Sequence, residues 1–453
     1  MIYDIAVIGG GPAGYVAAIK AAQGGAKTIL FEKDVLGGTC LNRGCIPTKT
    51  YLKSAEVIEG IRHAADRGVI LENTVLSVDM PKALKEKNKV VKKLTGGVGA
   101  LLKSNGVEVV NAAAKIKSDR TIEAGGQAYE AKHVIIASGS RAAKPPIPGA
   151  QMDCVVTSDE MLALDYVPEK LAIIGGGVIG VEMAMVFGAF GAQVTVIELM
   201  ERILPTMDED ISKLIHKTLA KNGVNVMTGV KVNAIEKAGD GAVLRVGEQN
   251  VEADLCLISV GRAPCVEDIC EVDLEMDRGF IKTDEYCETS APGIYAVGDV
   301  TGRMMLAHAG SLMGEIAVAN ILGERHRCDL SSIPACVYTH PEIGCVGMTE
   351  AQAKESSDVI TGVFPFAANG RALASGEGEG FAKIVANRNT HEILGVHIVG
   401  PSAAELIAEA VLAKRNELTV DELADTMHAH PTFSEALMEA AGAALGRCVH
   451  LPK

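Results

Sequence analysis

The chain has no tryptophan, and aromatic residues make up only 4% of its 453 positions. Glycine is correspondingly abundant at 49 residues, a balance that suits tight turns and close approaches of backbone to ligand. Basic residues are also short, since 43 Lys and Arg against 57 Asp and Glu leave a formal charge of −14. That sign excludes nucleic acid as a main partner, because phosphate binding needs basic patches. No apolar run is long and unbroken enough to be read as a membrane span; the stretch 171–197 is interrupted by glycines and Glu182. The apolar N-terminus carries Asp4 early and lacks a basic leader, so it reads as a buried strand and helix rather than a secretory signal. The eleven cysteines form no staple-like framework, which points to reduced thiols in a cytoplasmic setting.

What is present is a repeated pattern. An apolar run ending at Ile8 meets Gly9-x-Gly11-x-x-Gly14, passes into alanine-rich helical sequence, and returns as a second apolar run ending in Glu32. Gly175, Gly177, Gly180 and Glu198 repeat this order at a constant offset of 166 residues. Each copy is strand, glycine turn, helix, strand, acid. The turn lets a pyrophosphate approach the backbone at a helix N-terminus, and the acid reaches a ribose hydroxyl. One such turn is a weak signal in a glycine-rich chain; two in matching context are strong. Glu198 favours an unphosphorylated ribose, hence NAD, because a 2′-phosphate calls for arginines there.

The repeat extends to two further apolar runs that end at Gly139 and Gly261, each preceded by short alternating segments. The expected fold class is therefore α/β, with two Rossmann-like dinucleotide-binding domains and a C-terminal α+β unit. The first domain takes residues 1–145 and is completed by about 270–332, where "GIYAVGDV" returns the chain to it; the second takes 146–269. Residues 333–453 carry strand-like and helix-like runs but no dinucleotide turn.

"GGTCLNRGCIPTK" holds Cys40 and Cys45 five positions apart. In a regular helix that spacing is about 7.5 Å of rise, beyond the ~7 Å limit for a disulfide. A bridge therefore requires a broken helix, which Gly44 and Pro47 favour. A loop this short is a poor staple but suits an easily reduced, working disulfide. A metal site would need more Cys or His ligands, and no second Cys pair is evident, so no metal is expected. Two dinucleotide sites in one chain suggest two redox carriers that meet.

These motifs, with "GIYAVGDV" and "HAHPTFSEA", resemble in order and over nearly the whole chain the pyridine nucleotide-disulfide oxidoreductase family, and within it the branch that oxidises dihydrolipoyl groups. The resemblance implies a homodimeric flavoprotein with FAD on the first turn, Glu32 at its ribose and Asp299 near its ribityl chain, and NAD on the second turn. Cys40 would be the interchange thiol and Cys45 the charge-transfer thiol. Lys49 would stand beside the reactive flavin nitrogen with Glu182 as its ion-pair partner. His430, oriented by Glu435, would serve as the base for the disulfide of the other subunit, with 333–453 as the dimer interface. His428 is given no role, and the other nine cysteines read as ordinary thiols. The partner would be the lipoyl-bearing protein of a 2-oxoacid dehydrogenase or glycine cleavage system, with no lipoyl domain ahead of residue 1. Two departures stand out: Arg43 replaces a more usual apolar residue, and "LAHAGSLMG" is small and apolar where relatives carry charge. The rivals are glutathione reductase-like and mercuric reductase-like enzymes, and a non-catalytic flavin-bearing scaffold.

Overall fold

Ile5, Ala6 and Val7 are each fully buried. Both faces of their strand must then be covered, as in a parallel sheet flanked by helices. The computed structural model, which describes residues 2–72, 75–118 and 121–452, shows that arrangement. In the first sheet the strands run in the order Glu108–Asn111, Thr28–Glu32, Ile2–Ile8, Gln127–Ile136, Thr121–Ala124, Ala114–Ser118. The first four are parallel and the last two pair antiparallel. The long strand Gln127–Ile136 serves two further partners. Its early residues pair with Thr121–Ala124, and its last three pair parallel with Ile294–Ala296.

The fingerprint glycines are required by this geometry. Gly9 and Gly175 have φ of +108° and +110°, a region in which side chains are strained. A Cβ on Gly14 would lie 1.8 Å from the Gly9 carbonyl oxygen, and one on Gly180 would lie 2.0 Å from that of Gly175. Each third glycine thus lets a helix, Pro12–Gln23 or Val178–Phe190, close against its own strand. The small residues of "LAHAGSLMG" do the same for the helix Ala307–Ile321. A Cβ on Gly314 would sit 2.6 Å from the Ala13 carbonyl oxygen, so close helix packing, rather than charge, explains that departure.

The second sheet is wholly parallel, in the order Asn225–Met227, Gln193–Ile197, Lys170–Ile174, Leu255–Ile258, Val155–Val156. Its meander, 232–253, forms a separate three-stranded antiparallel sheet, whereas the corresponding strands of the first unit extend the main sheet. A two-stranded ribbon, Ser140–Ala142 with Arg262–Pro264, ties the two crossings between the units together. The third unit is a five-stranded antiparallel sheet, ordered Ala335–Val337, Glu342–Gly347, Ile393–Gly400, Phe381–Asn387, Val359–Pro365. Helices Ala403–Arg415 and Glu435–Ala444 pack on it. Among the described residues no helix is long and apolar enough to cross a membrane.

One buried cation fastens the third unit to the second. Lys383, its side chain 3% exposed, reaches Asp208 at 2.9 Å, Asp210 at 2.7 Å and Glu350 at 2.6 Å. Burial opposes its charge, but the three carboxylates outweigh it and raise its pKa above the ordinary 10.5. Burial likewise opposes ionisation of Asp208, but the Lys383 and Glu350 donors hold its pKa below 3.8. Stability from Lys383 is lost only as pH rises through its raised value, and that from Asp208 only as pH falls through its lowered one. The clamp is therefore whole across the neutral range. Lys383→Met strands a buried carboxylate and is expected to cost about 3–5 kcal/mol, read as an earlier midpoint in urea denaturation at pH 7.

Candidate active site

The chain bends where the two cysteines need it to. Helix Gly38–Arg43 ends at Gly44, whose φ of −145° and ψ of −113° are not helical, and a new helix, Cys45–Arg62, begins at the next residue. Pro47 lies in the first turn of that helix, where its missing N–H has no intrahelical partner to lose. The break turns both sulfurs into mutual hydrogen bonding; both stand as free thiols, the reduced member of the expected couple.

Their acidities separate. Donation to Cys45, then burial, pushes the Cys40 thiol well above its ordinary range. The Cys40 hydrogen bond, with the Lys49 ammonium assisting against burial and Glu182, draws Cys45 down to about 7. One sulfur is thus a proton-bearing donor and the other a thiolate near neutral pH.

Lys49 is held from three sides. Its Nζ donates to Glu182 Oε1 at 2.9 Å and Oε2 at 3.0 Å, and lies 4.5 Å from the Tyr338 ring centroid. Glu182 Oε1 also accepts from the Tyr338 backbone N–H at 2.9 Å. Glu182 is buried in helix Val178–Phe190 of the second unit, and Tyr338 follows the first strand of the third. Arg43 is tied by ion pairs to Asp34 and, at 4.0 Å, to Asp159, so its charge is turned onto neighbouring acids.

Both nucleotide turns are built alike. Glu32 Oε2 accepts from the Gly10 N–H at 2.7 Å and Oε1 from the Asp34 N–H at 2.8 Å. Glu198 Oε2 accepts from the Gly176 N–H at 2.6 Å and Oε1 from the Met200 N–H at 2.7 Å. Both acids are buried and fixed by main chain alone, with lone pairs left over for ribose hydroxyls. The following helices start at Gly11 and Gly177 without a side-chain cap, leaving N–H groups for a pyrophosphate. A Cβ on Gly177 would meet nothing within 4 Å, and one on Gly11 only the Gly38 backbone at 3.8 Å. These residues fit two dinucleotides.

Gly139 and Gly261, with φ of +71° and +122°, lead into the ribbon between the units. There Arg262 Nε donates to Ser140 Oγ at 2.6 Å, and Ser140 Oγ donates to Asp299 Oδ2. Asp299 is thereby positioned by Ser140 and Arg262, two residues that sequence reading missed. Each directly follows a glycine that ends one of the repeated apolar runs, Gly139 and Gly261, but their roles emerge only from the ribbon pairing.

His430 Nδ1 lies 2.9 Å from Glu435 Oε1, and the His430 side chain is 77% exposed. Burial works against ionisation of Glu435, but the Thr432 N–H and His430 outweigh it and hold its pKa below the ordinary value. His428 is engaged elsewhere, with Nε2 at 2.6 Å from Glu409. Among the described residues, no hydrogen bond or ion pair joins His430 or Glu435 to the cysteines of the same chain. All nine remaining cysteines are free thiols, but Cys287 and Cys328 lie close enough for hydrogen bonding to shift each other's acidity. Their separation of 41 positions left no signal in the sequence.

A reactive dithiol beside two nucleotide cradles defines a disulfide oxidoreductase. Residues 3–314 match the pyridine nucleotide-disulphide oxidoreductase family, and residues 333–441 match the dimerisation domain of that family. The chain belongs to this family, whose enzymes use FAD and a nicotinamide dinucleotide. It is 42% identical to a dihydrolipoyl dehydrogenase of Bacillus subtilis, with 99% of this chain and 98% of that one covered. A dihydrolipoyl dehydrogenase of Haloferax volcanii is 41% identical, covering 99% and 97%. Among solved structures, LpdA from Mycobacterium tuberculosis superposes with a TM-score of 0.89 at 29% identity, covering 97% of this chain and 99% of that one. The flavoprotein disulfide reductase RclA from Escherichia coli superposes with a TM-score of 0.86 at 28% identity, with the same coverage.

In the reduced protein, thiolate absorbance is expected to titrate near pH 7 with contributions from Cys45 and Cys328. The Cys45 contribution, isolated in a Cys328→Ser background, should disappear in Cys45→Ser and move to higher pH in Lys49→Met.

Proposed function

We propose that this chain is a cytoplasmic dihydrolipoyl dehydrogenase that reoxidises the dihydrolipoyl group of a lipoyl-bearing protein from a 2-oxoacid dehydrogenase or glycine cleavage system. The carrying observation is the unequal dithiol: a thiolate at Cys45 held by Lys49, and a protonated partner at Cys40. Residues 1–145 with 270–332 would hold FAD through Gly9, Gly11, Gly14, Glu32 and Asp299. Residues 146–269 would hold NAD through Gly175, Gly177, Gly180 and Glu198, and residues 333–453 would form the dimer interface. When bound, FAD would supply the two-electron acceptor for the dithiol and the hydride donor for NAD.

Cys40 and Cys45 start the cycle as a disulfide. His430, neutral and oriented by the Glu435 carboxylate, takes a proton from a substrate thiol. The resulting thiolate attacks Cys40, forming a mixed disulfide and releasing Cys45 as the thiolate that Lys49 stabilises. The second substrate thiol then displaces Cys40, closing the substrate disulfide; the histidine proton passes to Cys40, and the proton of the second thiol is taken up by His430 in turn and released to solvent. This leaves the pair as Cys40 thiol and Cys45 thiolate. The ion pair of Lys49 with Glu182 holds its ammonium in place beside that sulfur.

The exposure of His430 and its lack of a same-chain contact to the cysteines suit a base that works across the dimer. Glu198 stands where a glutathione reductase-like enzyme would need arginines. Cys448 donates to Glu439 at 2.9 Å rather than to a second thiol. An idle scaffold would have no need of the low Cys45 pKa.

The test is dihydrolipoamide-dependent reduction of NAD. His430→Gln should slow it about 10²–10⁴-fold, and Cys45→Ser should abolish it, with FAD still bound in both. Co-refolding the two variant chains in equal amounts should restore about a quarter of wild-type activity, because each mixed dimer has one intact shared site. No recovery would place His430 on the same chain's cysteines, and full activity of Cys45→Ser would overturn the assignment.

A further inference from the structure

Cys287 and Cys328 repeat the design of the redox pair at a place the proposed reaction does not use. Cys287 is fully buried, and Cys328 is 5% exposed in the same apolar cluster of the first unit. The sulfurs hydrogen bond to each other, and the exposed Arg303 reaches the Cys328 thiol and donates through Nη2 to the Cys328 carbonyl at 2.9 Å. The backbone sets the pair rigidly. Cys328 N–H donates to the Glu285 carbonyl at 2.7 Å, and the Cys287 carbonyl accepts from Ala296 N–H at 3.1 Å. Around them Arg327 pairs with Glu285 at 3.2 Å, and Asn320 Nδ2 bridges the Tyr286 and His326 carbonyls at 3.1 and 3.0 Å.

The chemistry is also asymmetric in the same sense. Donation to Cys328, then burial, pushes Cys287 far up. The Cys287 hydrogen bond, with Arg303 assisting against burial, draws Cys328 down to about 7. Arg303 here plays the part of Lys49. A metal is not the reason for the pairing, since no cluster of three or more Cys, His, Asp or Glu suited to a metal occurs among the described residues.

We propose that Cys287 and Cys328 are a second dithiol, closed to a disulfide by a peroxide, that locks the linker entering the dimerisation domain onto the segment paired with the strand leading to the Gly298–Asp299 turn. The Cys328 thiolate attacks one peroxide oxygen, so an S–O bond forms, the O–O bond breaks and hydroxide leaves. The Cys287 sulfur then attacks the sulfenic sulfur; the S–S bond forms, and the departing hydroxide takes the Cys287 proton as water. Two thiols and one hydrogen peroxide give one disulfide and two waters, with two electrons passing from sulfur to oxygen. The bond closes a loop over residues 287–328 between two segments that the Cys328 N–H to Glu285 carbonyl bond already holds together, and so restricts the unfolded chain.

The test treats the FAD-bound enzyme with hydrogen peroxide and digests it without reductant. The expected product is a joined Cys287–Cys328 peptide that a dithiol separates. The treated enzyme should melt a few degrees higher, a gain absent in Cys328→Ser and in Cys287→Ala, either of which serves if the other fails to fold. Cys328 recovered as sulfinic acid beside an intact Cys287 thiol would overturn the proposal. So would a joined peptide with no rise in melting temperature.

Discussion

Glu182 is the point on which the three units of this chain converge. Its carboxylate is buried at the start of a helix in the second unit, receives Lys49 from the first and a backbone N–H from Tyr338 of the third. A buried carboxylate is costly unless it is paired and hydrogen-bonded. Removing the first or second unit would leave an uncompensated charge in the other, and removing the third would strip a backbone donor from the buried carboxylate. The position of Lys49, and with it the ionisation of Cys45, is therefore set by how the domains sit on one another.

Both thiol pairs follow one physical rule. A thiol beside a second thiol becomes a hydrogen-bond donor, its neighbour becomes the acceptor, and the acceptor is the sulfur that a nearby cation favours as thiolate. Lys49 supplies the cation at one pair and Arg303 at the other. The surroundings differ. Cys40 and Cys45 lie at a helix break with Cys45 exposed, whereas Cys287 and Cys328 lie inside an apolar cluster. The same chemistry serves turnover in the open place and cross-linking in the closed one.

The parts of the site legible in the sequence were the local ones. Each glycine turn with its acid lies within a short span, and the approach of its third glycine to its first is set inside that span. The helix break between Cys40 and Cys45 was readable because Gly44 and Pro47 lie inside the motif. The ion pair of Lys49 with Glu182 and the contact of His430 with Glu435 came from family likeness, and the geometry agrees with both contacts. What stayed hidden depends on packing between distant segments. Arg262, Ser140 and Asp299 meet only because two connections pair as a ribbon. Tyr338 meets Glu182 through a backbone N–H that nearly any residue could offer and Lys49 through a ring far away in sequence, and Lys383 reads as an ordinary strand lysine until three acids close on it.

The strand Gln127–Ile136 lends its last residues to Ile294–Ala296, on the far side of the whole second unit. On the ribosome, the first sheet therefore waits for a stretch synthesised about 160 residues later, roughly 8–32 s at ordinary elongation rates. In that interval the inserted unit has all of its own strands and can fold as a body, while its host stands with an open edge. Assembly thus proceeds from the inside outward: the guest domain is finished before the domain that carries it.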